Sequence, residues 1–292
     1  MNKAGKYLGT VLPLLLALAI QVLGAAWIGI AYSVVRMFQL ASRDGADLSN
    51  AGLDIVTEVQ DPQFLMVISA VFGIVGIIVF GLWLRHLNRG DNTRVTANHL
   101  TVKQTGIIIV LGIFLQIGLS IVLTVISNWQ PGWFKGYGEL MEKLGMGNSL
   151  ASFLYVGIIG PIAEELIFRG VTLGKAKRVM PFFAANILQA LLFGIYHMNI
   201  IQGTYAFAIG LCFGLVRFTY NTLKASIALH MSVNLSGIFL GYILSDSVLL
   251  NPVSGGLLFV ASAVVIAASL IYFIRLLKNV EIEEELYTFE EN

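Results

Sequence analysis

Residues 150–171 read LASFLYVGIIGPIAEELIFRGV, and this stretch decides the fold class. It is as long as the roughly 20 mostly apolar residues that a helix needs to cross a bilayer. It nevertheless carries Glu164, Glu165 and Arg169. An ionisable side chain inside a membrane must find a partner or a wet cavity, so it indicates a functional site by default. We therefore expect a spanning helix that carries part of a reactive site.

The rest of the chain has the composition of a membrane protein. Of the 292 residues, 57% are hydrophobic and 12% are charged, and the mean hydropathy is +0.81. A soluble domain has roughly twice that share of charged residues. The apolar runs predict an all-α, polytopic integral membrane protein with about eight transmembrane helices, in a single membrane domain over residues 1–292. The predicted spans are about 8–35, 64–85, 105–127, 150–171, 181–199, 203–220, 223–244 and 253–275.

The distribution of lysine and arginine predicts the orientation. With the N-terminus inside, the inner loops hold most of these residues, and the outer loops hold only Arg36, Arg43, Lys135 and Lys143. This bias follows the positive-inside rule, so we expect both termini to be cytoplasmic, in a bacterial plasma membrane. The net charge of +1 gives no indication of a nucleic-acid partner, and the lipid bilayer is the expected one. A short interfacial helix is expected around Gly138–Leu144.

Polar side chains that suit chemistry occur in three of the predicted spans: Glu164, Glu165 and Arg169 in the fourth, His197 in the fifth, and His230 and Asn234 in the seventh. Successive residues of an α-helix are rotated by about 100°. Glu165 and Arg169 are four residues apart, so they share a face and can pair. Glu164 points away from that face and stays free for chemistry. We expect Glu164, His197 and His230 to meet in one cavity, although counting along the fifth span puts His197 toward its outer end.

Two chemistries suit this set, and both end in water attacking a carbonyl group. In the first, a carboxylate and an imidazole deprotonate the water, and a second imidazole and an amide donate hydrogen bonds to the developing oxyanion. In the second, Glu164, His197 and His230 are the three protein ligands of a catalytic zinc ion. We prefer the metal-free form, with zinc as the open alternative. Asn234 is better suited to donate a hydrogen bond to an oxyanion than to belong to a zinc shell. The carboxylate of Glu165 could orient a ligating histidine, but we expect it to pair with Arg169 instead.

Three motifs, in their order along the chain, resemble those of a known family. EELIFR (164–169), FGIYH (193–197) and HMSVN (230–234) are similar to the EExxxR, FxxxH and HxxxN motifs of the CAAX-protease and bacteriocin-processing family of intramembrane proteases. That family includes the type II CAAX prenyl endopeptidases. The resemblance covers about residues 150–240, which we take as the protease core.

The resemblance implies hydrolysis of a peptide bond in a membrane-associated protein or peptide substrate. It implies that Glu164 and His197 activate the water, and that His230 and Asn234 stabilise the oxyanion. The supporting residues that it implies are Glu165, Arg169 and Phe193. The family is described both as a metalloprotease family and as one that uses a glutamate without metal, so the resemblance leaves zinc open.

Two other classes of function stay open. A transporter or channel would use Glu164 and the histidines as an ion or proton relay. Such proteins more often show broken helices in two matching halves, whereas Pro161 has no counterpart in a second half. A non-catalytic membrane protein, such as an immunity or adaptor protein, would keep the same fold. The intact motifs favour the protease.

Overall fold

The helices of this chain follow the apolar runs of its sequence. The computed structural model describes residues 3–42, 49–89, 99–143 and 149–290, and within them the chain forms helices and no strand. In chain order the helices are α1 (Lys3–Leu8), α2 (Leu12–Ala41), α3 (Ala51–Val59), α4 (Pro62–Asn88), α5 (Val102–Trp129), α6 (Pro131–Lys143), α7 (Leu150–Ala176), α8 (Phe182–Tyr196), α9 (Ile200–Thr219), α10 (Leu223–Ile243), α11 (Asp246–Leu249) and α12 (Ser254–Glu290).

The described part of the chain has 7 helices that are long and apolar enough to cross a membrane. They are α2, α4, α5, α7, α9, α10 and α12. The remaining predicted span, 181–199, corresponds to α8, which has 15 residues. At about 1.5 Å per residue α8 is roughly 22 Å long, which is short of the roughly 30 Å hydrocarbon core. The predicted fold class, an all-α polytopic integral membrane protein, is confirmed, with a fifth span shorter than predicted.

Local sequence signals set where two of the spanning helices begin. The carboxylate of Asp61 caps α4 by accepting hydrogen bonds from the backbone N–H groups of Gln63 and Phe64, at 2.9 and 3.0 Å. Thr101 and Gln104 form a capping box at the start of α5. These side chains satisfy backbone donors that the first turn of a helix leaves without intrahelical partners.

A helix is present where the interfacial helix is predicted, and it is longer than predicted. It begins at Pro131, a residue type favoured in the first helical turn, so the predicted range 138–144 starts too late; Leu144 lies outside the described residues. Tyr137 of α6 reaches Tyr205 of α9, with the two hydroxyl oxygens 3.3 Å apart and the rings edge-on. This helix therefore packs across α9.

Helix α7 lies in the middle of the bundle, against α2, α4, α8 and α10. Every residue from Ile167 to Thr172 is buried, as expected for a helix surrounded by other helices. Two π-helical stretches, Tyr155–Ile159 and Leu166–Thr172, flank the α-helical segment Gly160–Glu165. Such stretches are rare and frequently lie at functional sites. Both glutamates thus lie between two irregular turns of the central helix.

Helices α8 and α9 form a tight hairpin that carries His197 in its turn. Their backbones touch at Gly194 and Gly203, where a Cβ on the first would lie 2.6 Å from the carbonyl oxygen of the second. Met198 has a φ of 50°, the left-handed conformation that commonly ends a helix. Asn199 then caps α9 by accepting a backbone N–H at 3.0 Å. These contacts fix the position of His197 relative to both helices.

Candidate active site

A cavity of about 680 Å³ opens beside α7, and its volume is within the range of ligand pockets. Five of the predicted side chains line it: Glu164, Phe193, His197, His230 and Asn234. The other two predicted residues, Glu165 and Arg169, are buried behind its wall, and their side chains are 0% exposed. The structure therefore brings residues from α7, α10 and the α8–α9 turn to one cavity.

The predicted ion pair between Glu165 and Arg169 is present. Arg169 Nη1 donates to Glu165 Oε1 at 3.0 Å, and Nη2 donates to the carbonyl oxygen of Gly210 at 3.1 Å. The guanidinium carbon lies 4.3 Å from the ring centroid of Phe193 and 4.9 Å from that of Phe213. A buried charge requires such pairing and hydrogen bonding, and the aromatic faces add attraction. Arg169 is therefore a fixed part of the core.

His230 joins the two glutamates, a link that the spacing of the motifs does not predict. Its Nδ1 lies 2.9 Å from Glu165 Oε1, and its Nε2 lies 3.5 Å from Glu164 Oε2. Glu165 Oε1 also accepts from Arg169, so Nδ1 of His230 is the donor in this hydrogen bond. The remaining nitrogen, Nε2, is left to face Glu164 at the cavity wall.

His197 is the first residue after α8, so it lies at the C-terminal end of that helix. Its Nδ1 lies 2.8 Å from the carbonyl oxygen of Phe193. A carbonyl oxygen only accepts hydrogen bonds, so Nδ1 carries the hydrogen and Nε2 of the neutral ring is an acceptor. The Phe193 ring packs edge-on against the imidazole, with centroids 4.8 Å apart. The structure shows no direct hydrogen bond between His197 and Glu164, both of which it describes.

Asn234 ties α10 to the first π-helical stretch of α7. Its Nδ2 donates to the carbonyl oxygen of Val156 at 2.8 Å. One N–H of the amide is thereby committed to the backbone. The second N–H and the amide oxygen remain for the cavity that Asn234 lines. The residue expected at an oxyanion therefore also holds two helices together.

The donor set does not form the zinc site that was kept as an alternative. Among the residues that the structure describes, no three His, Cys, Asp or Glu side chains are grouped so that they could hold one metal ion. His230 directs one nitrogen to Glu165 and the other to Glu164. As placed, Glu164, His197 and His230 do not fit a three-ligand zinc site, and the chemistry below uses side chains alone.

Further polar side chains line the cavity and were missed in the sequence, among them Gln21, Gln116, Tyr155 and Tyr196. Gln21 lies on α2 and lines the cavity together with Tyr155 of α7. Gln21 and Gln116 are each isolated among apolar residues of a span, and this signal was available. The two tyrosines gave no comparable signal, because tyrosine is a common residue of spanning helices near the interface.

These features define a class: a polytopic helical membrane protein with a glutamate at the wall of an intramembrane cavity and a buried arginine–glutamate–histidine chain behind it. Residues 146–236 match the sequence model of the Rce1-like family, described as "Type II CAAX prenyl endopeptidase Rce1-like". The family resemblance that the three motifs predict is therefore confirmed over this segment.

A curated bacterial protein shares part of the sequence. The chain is 31% identical over 127 residues to the membrane-embedded CAAX protease MroQ of Staphylococcus aureus (strain USA300). The alignment covers 41% of this chain and 49% of that relative, so it spans about half of the relative's length. No solved structure matches the chain. The family match and the relative support a membrane protease.

Proposed function

We propose that this chain is an intramembrane endopeptidase that hydrolyses a peptide bond of a membrane-associated protein or peptide. The observation that carries the proposal is the placement of Glu164. Its side chain lines the cavity with an exposure of 15% and lies 3.5 Å from His230 Nε2. A carboxylate that reaches both a cavity and a fixed imidazole is suited to take a proton from water. The family match supports the same class of reaction.

In the proposed reaction, Glu164 takes a proton from a water molecule while the water oxygen bonds to the carbonyl carbon of the peptide. His197 assists, because its Nε2 can accept a hydrogen bond from the same water. The carbonyl oxygen becomes an oxyanion, to which the second N–H of Asn234 can donate. The C–N bond then breaks as Glu164 passes its proton to the leaving nitrogen. The products are a carboxylic acid and an amine.

We assign His230 the role of orienting Glu164 rather than that of an oxyanion donor. Its Nδ1 is occupied by Glu165, and its Nε2 faces Glu164. Glu165 is in turn held by Arg169. A base must keep its geometry through the reaction, and a chain of hydrogen bonds behind it supplies that rigidity. In this proposal Glu165 and Arg169 support catalysis without touching the substrate.

The orientation in the membrane belongs to the same proposal. We infer that both termini face the cytoplasm of a bacterial cell, because the predicted inner loops carry most of the lysine and arginine. Of the predicted outer cations, Arg43 lies outside the described residues. Labelling of single cysteines placed in the loops of intact cells, in a Cys212→Ser background, would test this arrangement.

The test of the function uses the full chain in liposomes, with internally quenched peptides that carry an apolar anchor as probes. Glu164→Gln should lower the cleavage rate by about 10²–10⁴-fold, the usual contribution of general acid–base catalysis, with unchanged thermal unfolding. His86→Gln, at an exposed histidine near the end of α4, should match the wild type. A wild-type cleavage rate for Glu164→Gln would contradict the proposal. An ion flux that Glu164→Gln abolishes would favour the transporter instead.

A further inference from the structure

A buried glycine of α4 borders a small second pocket. Gly76 is buried, yet a Cβ built on it would have only one atom nearby, the Cβ of Ala163 at 3.7 Å. The space that it faces is a pocket of about 20 Å³, which we call the rear pocket; Gly76 and Ala163 both line it. Its walls come from α2, α4, α7 and α8.

The rear pocket has the size and the polarity that a bound water requires. A cavity needs roughly 10–15 Å³ and two to four polar partners to hold one water molecule. Four polar side chains line this one: Gln21, Tyr155, Glu164 and Tyr196. Gln21 comes from α2 and Tyr155 from α7, so both helices contribute polar groups to this pocket. The remaining lining is apolar, so a water inside can bond only to these groups and to nearby backbone.

The polar side chains of the rear pocket also line the large cavity. Glu164 therefore lies on the wall between the two spaces. A peptide in the large cavity would displace the water there, while hydrolysis consumes one water per peptide bond. A site beside Glu164 that the substrate does not fill can retain that water.

We propose that the rear pocket binds a water molecule, held by Gln21 and Tyr155, that supplies the water consumed at Glu164 once substrate fills the large cavity. This inference rests on the proposed function. In the reaction the water gives one hydrogen to Glu164 as a proton and its oxygen to the carbonyl carbon. Gln21 lies outside the matched segment 146–236, so the first spanning helix takes part in the site as a positioning element.

Gly76→Ala tests the inference by placing a methyl group in the rear pocket. Its nearest neighbour would be at an ordinary contact distance of 3.7 Å, so the variant should fold. We expect kcat to fall about tenfold with the peptide KM unchanged, because the methyl group cannot replace the hydrogen bonds of a displaced water. Gly81→Ala is the matched control on the same helix, since its Cβ would meet nothing within 4 Å. It should keep the wild-type kcat.

Gln21→Leu provides a second variant that keeps the side-chain volume and removes the polar group. It should also lower kcat at constant KM, and combining it with Gly76→Ala should add little, because both act on the same water. If Gln21 had only a structural role, Gln21→Leu would lower thermal stability and leave kcat per folded molecule unchanged. That result would overturn the inference.

A readout without catalysis separates this inference from the proposed function. A high-resolution structure of the full chain should show an ordered water within hydrogen-bonding distance of Glu164 and Tyr155, and the Gly76→Ala structure should lack it. If the water is present but the chain cleaves no peptide, the proposed function is refuted and the water site is not. A rear pocket without water, or a wild-type kcat for Gly76→Ala in a chain that cleaves peptide, would refute the water site alone.

Discussion

The adjacent glutamates should respond in opposite ways to the same substitution. Glu165→Gln removes the negative charge that neutralises Arg169, deep in the core where both side chains are 0% exposed. Glu164→Gln changes a side chain that lines a cavity and is 15% exposed. Both substitutions keep the size of the side chain, so volume does not differ between them. The first should destabilise the fold, and the second should remove activity from a stable protein.

The expected loss follows from what remains around Arg169. Removing one partner of a buried ion pair costs about 3–5 kcal/mol, because the other charge stays buried without compensation. Arg169 keeps its hydrogen bond to Gly210 and its contacts with two aromatic rings, so we expect about 3 kcal/mol, the lower end of that range. Glu164 lies at the cavity wall and is not the ion-pair partner of Arg169. Glu164→Gln therefore leaves Arg169 paired, and we expect the free energy of unfolding to fall by about 1 kcal/mol or less.

The assay compares unfolding free energies of the two variants in a mixed-detergent titration, together with peptide cleavage. A double variant, Glu165→Gln with Arg169→Met, serves as the control, because it removes the uncompensated charge as well. It should be more stable than Glu165→Gln alone and should stay poorly active, since His230 would lose the negative charge of its partner. Equal stability of Glu165→Gln and wild type would refute the argument. So would a double variant no more stable than the single one.

Three further outcomes are expected. Gly194→Ala would bring a Cβ to 2.6 Å from the carbonyl oxygen of Gly203, so the α8–α9 hairpin should open. The free energy of unfolding should then fall by about 1–3 kcal/mol, and the cleavage rate should drop. The control is Gly174→Ala, whose Cβ would meet nothing within 4 Å and which should be neutral in both assays. A hydrogen bond from Arg36 holds the pKa of the Glu58 carboxyl below its ordinary 4.5. The docking of α3 on α2 is therefore stabilised at neutral pH and weakens as the pH falls through that lowered pKa, so amide exchange in α3 should rise there and Glu58→Gln should abolish this pH dependence. Because no three ligand side chains are grouped among the described residues, cleavage should survive prolonged chelation; stoichiometric zinc with activity restored only by added metal would contradict this.

The sequence predicted best what the geometry of a single helix determines. The four-residue spacing of Glu165 and Arg169 predicted their pairing, and the rotation between neighbours separated Glu164 from that pair. The apolar runs predicted the spanning helices, because length and hydropathy are local properties. Helix ends were less certain: α6 begins before its predicted start, and α8 is shorter than its apolar run.

Contacts between helices could not be predicted from spacing. His230 lies three predicted spans further along the chain than both glutamates, and nothing in HMSVN shows that its two nitrogens reach two different carboxylates. The hydrogen bond from Asn234 to Val156 depends on the π-helical register of α7, and no residue pattern in the sequence predicts that register. Gln21 was visible as an isolated polar residue, but only the packing of α2 against α7 brings it to the pocket that Tyr155 also lines.

The contacts behind Glu164 give His230 a role in the proposed reaction that does not require it to touch the substrate. Around Glu164 the structure gathers a second carboxylate, Glu165, one permanent cation, Arg169, and His230. Buried charges are stable when they balance. Arg169 pairs with Glu165, and Glu165 Oε1 accepts a hydrogen bond from His230 Nδ1. His230 Nε2 is thereby held 3.5 Å from Glu164 Oε2. In the proposed reaction the chain from Arg169 to His230 acts by fixing the position of Glu164, and none of its members needs to touch the substrate.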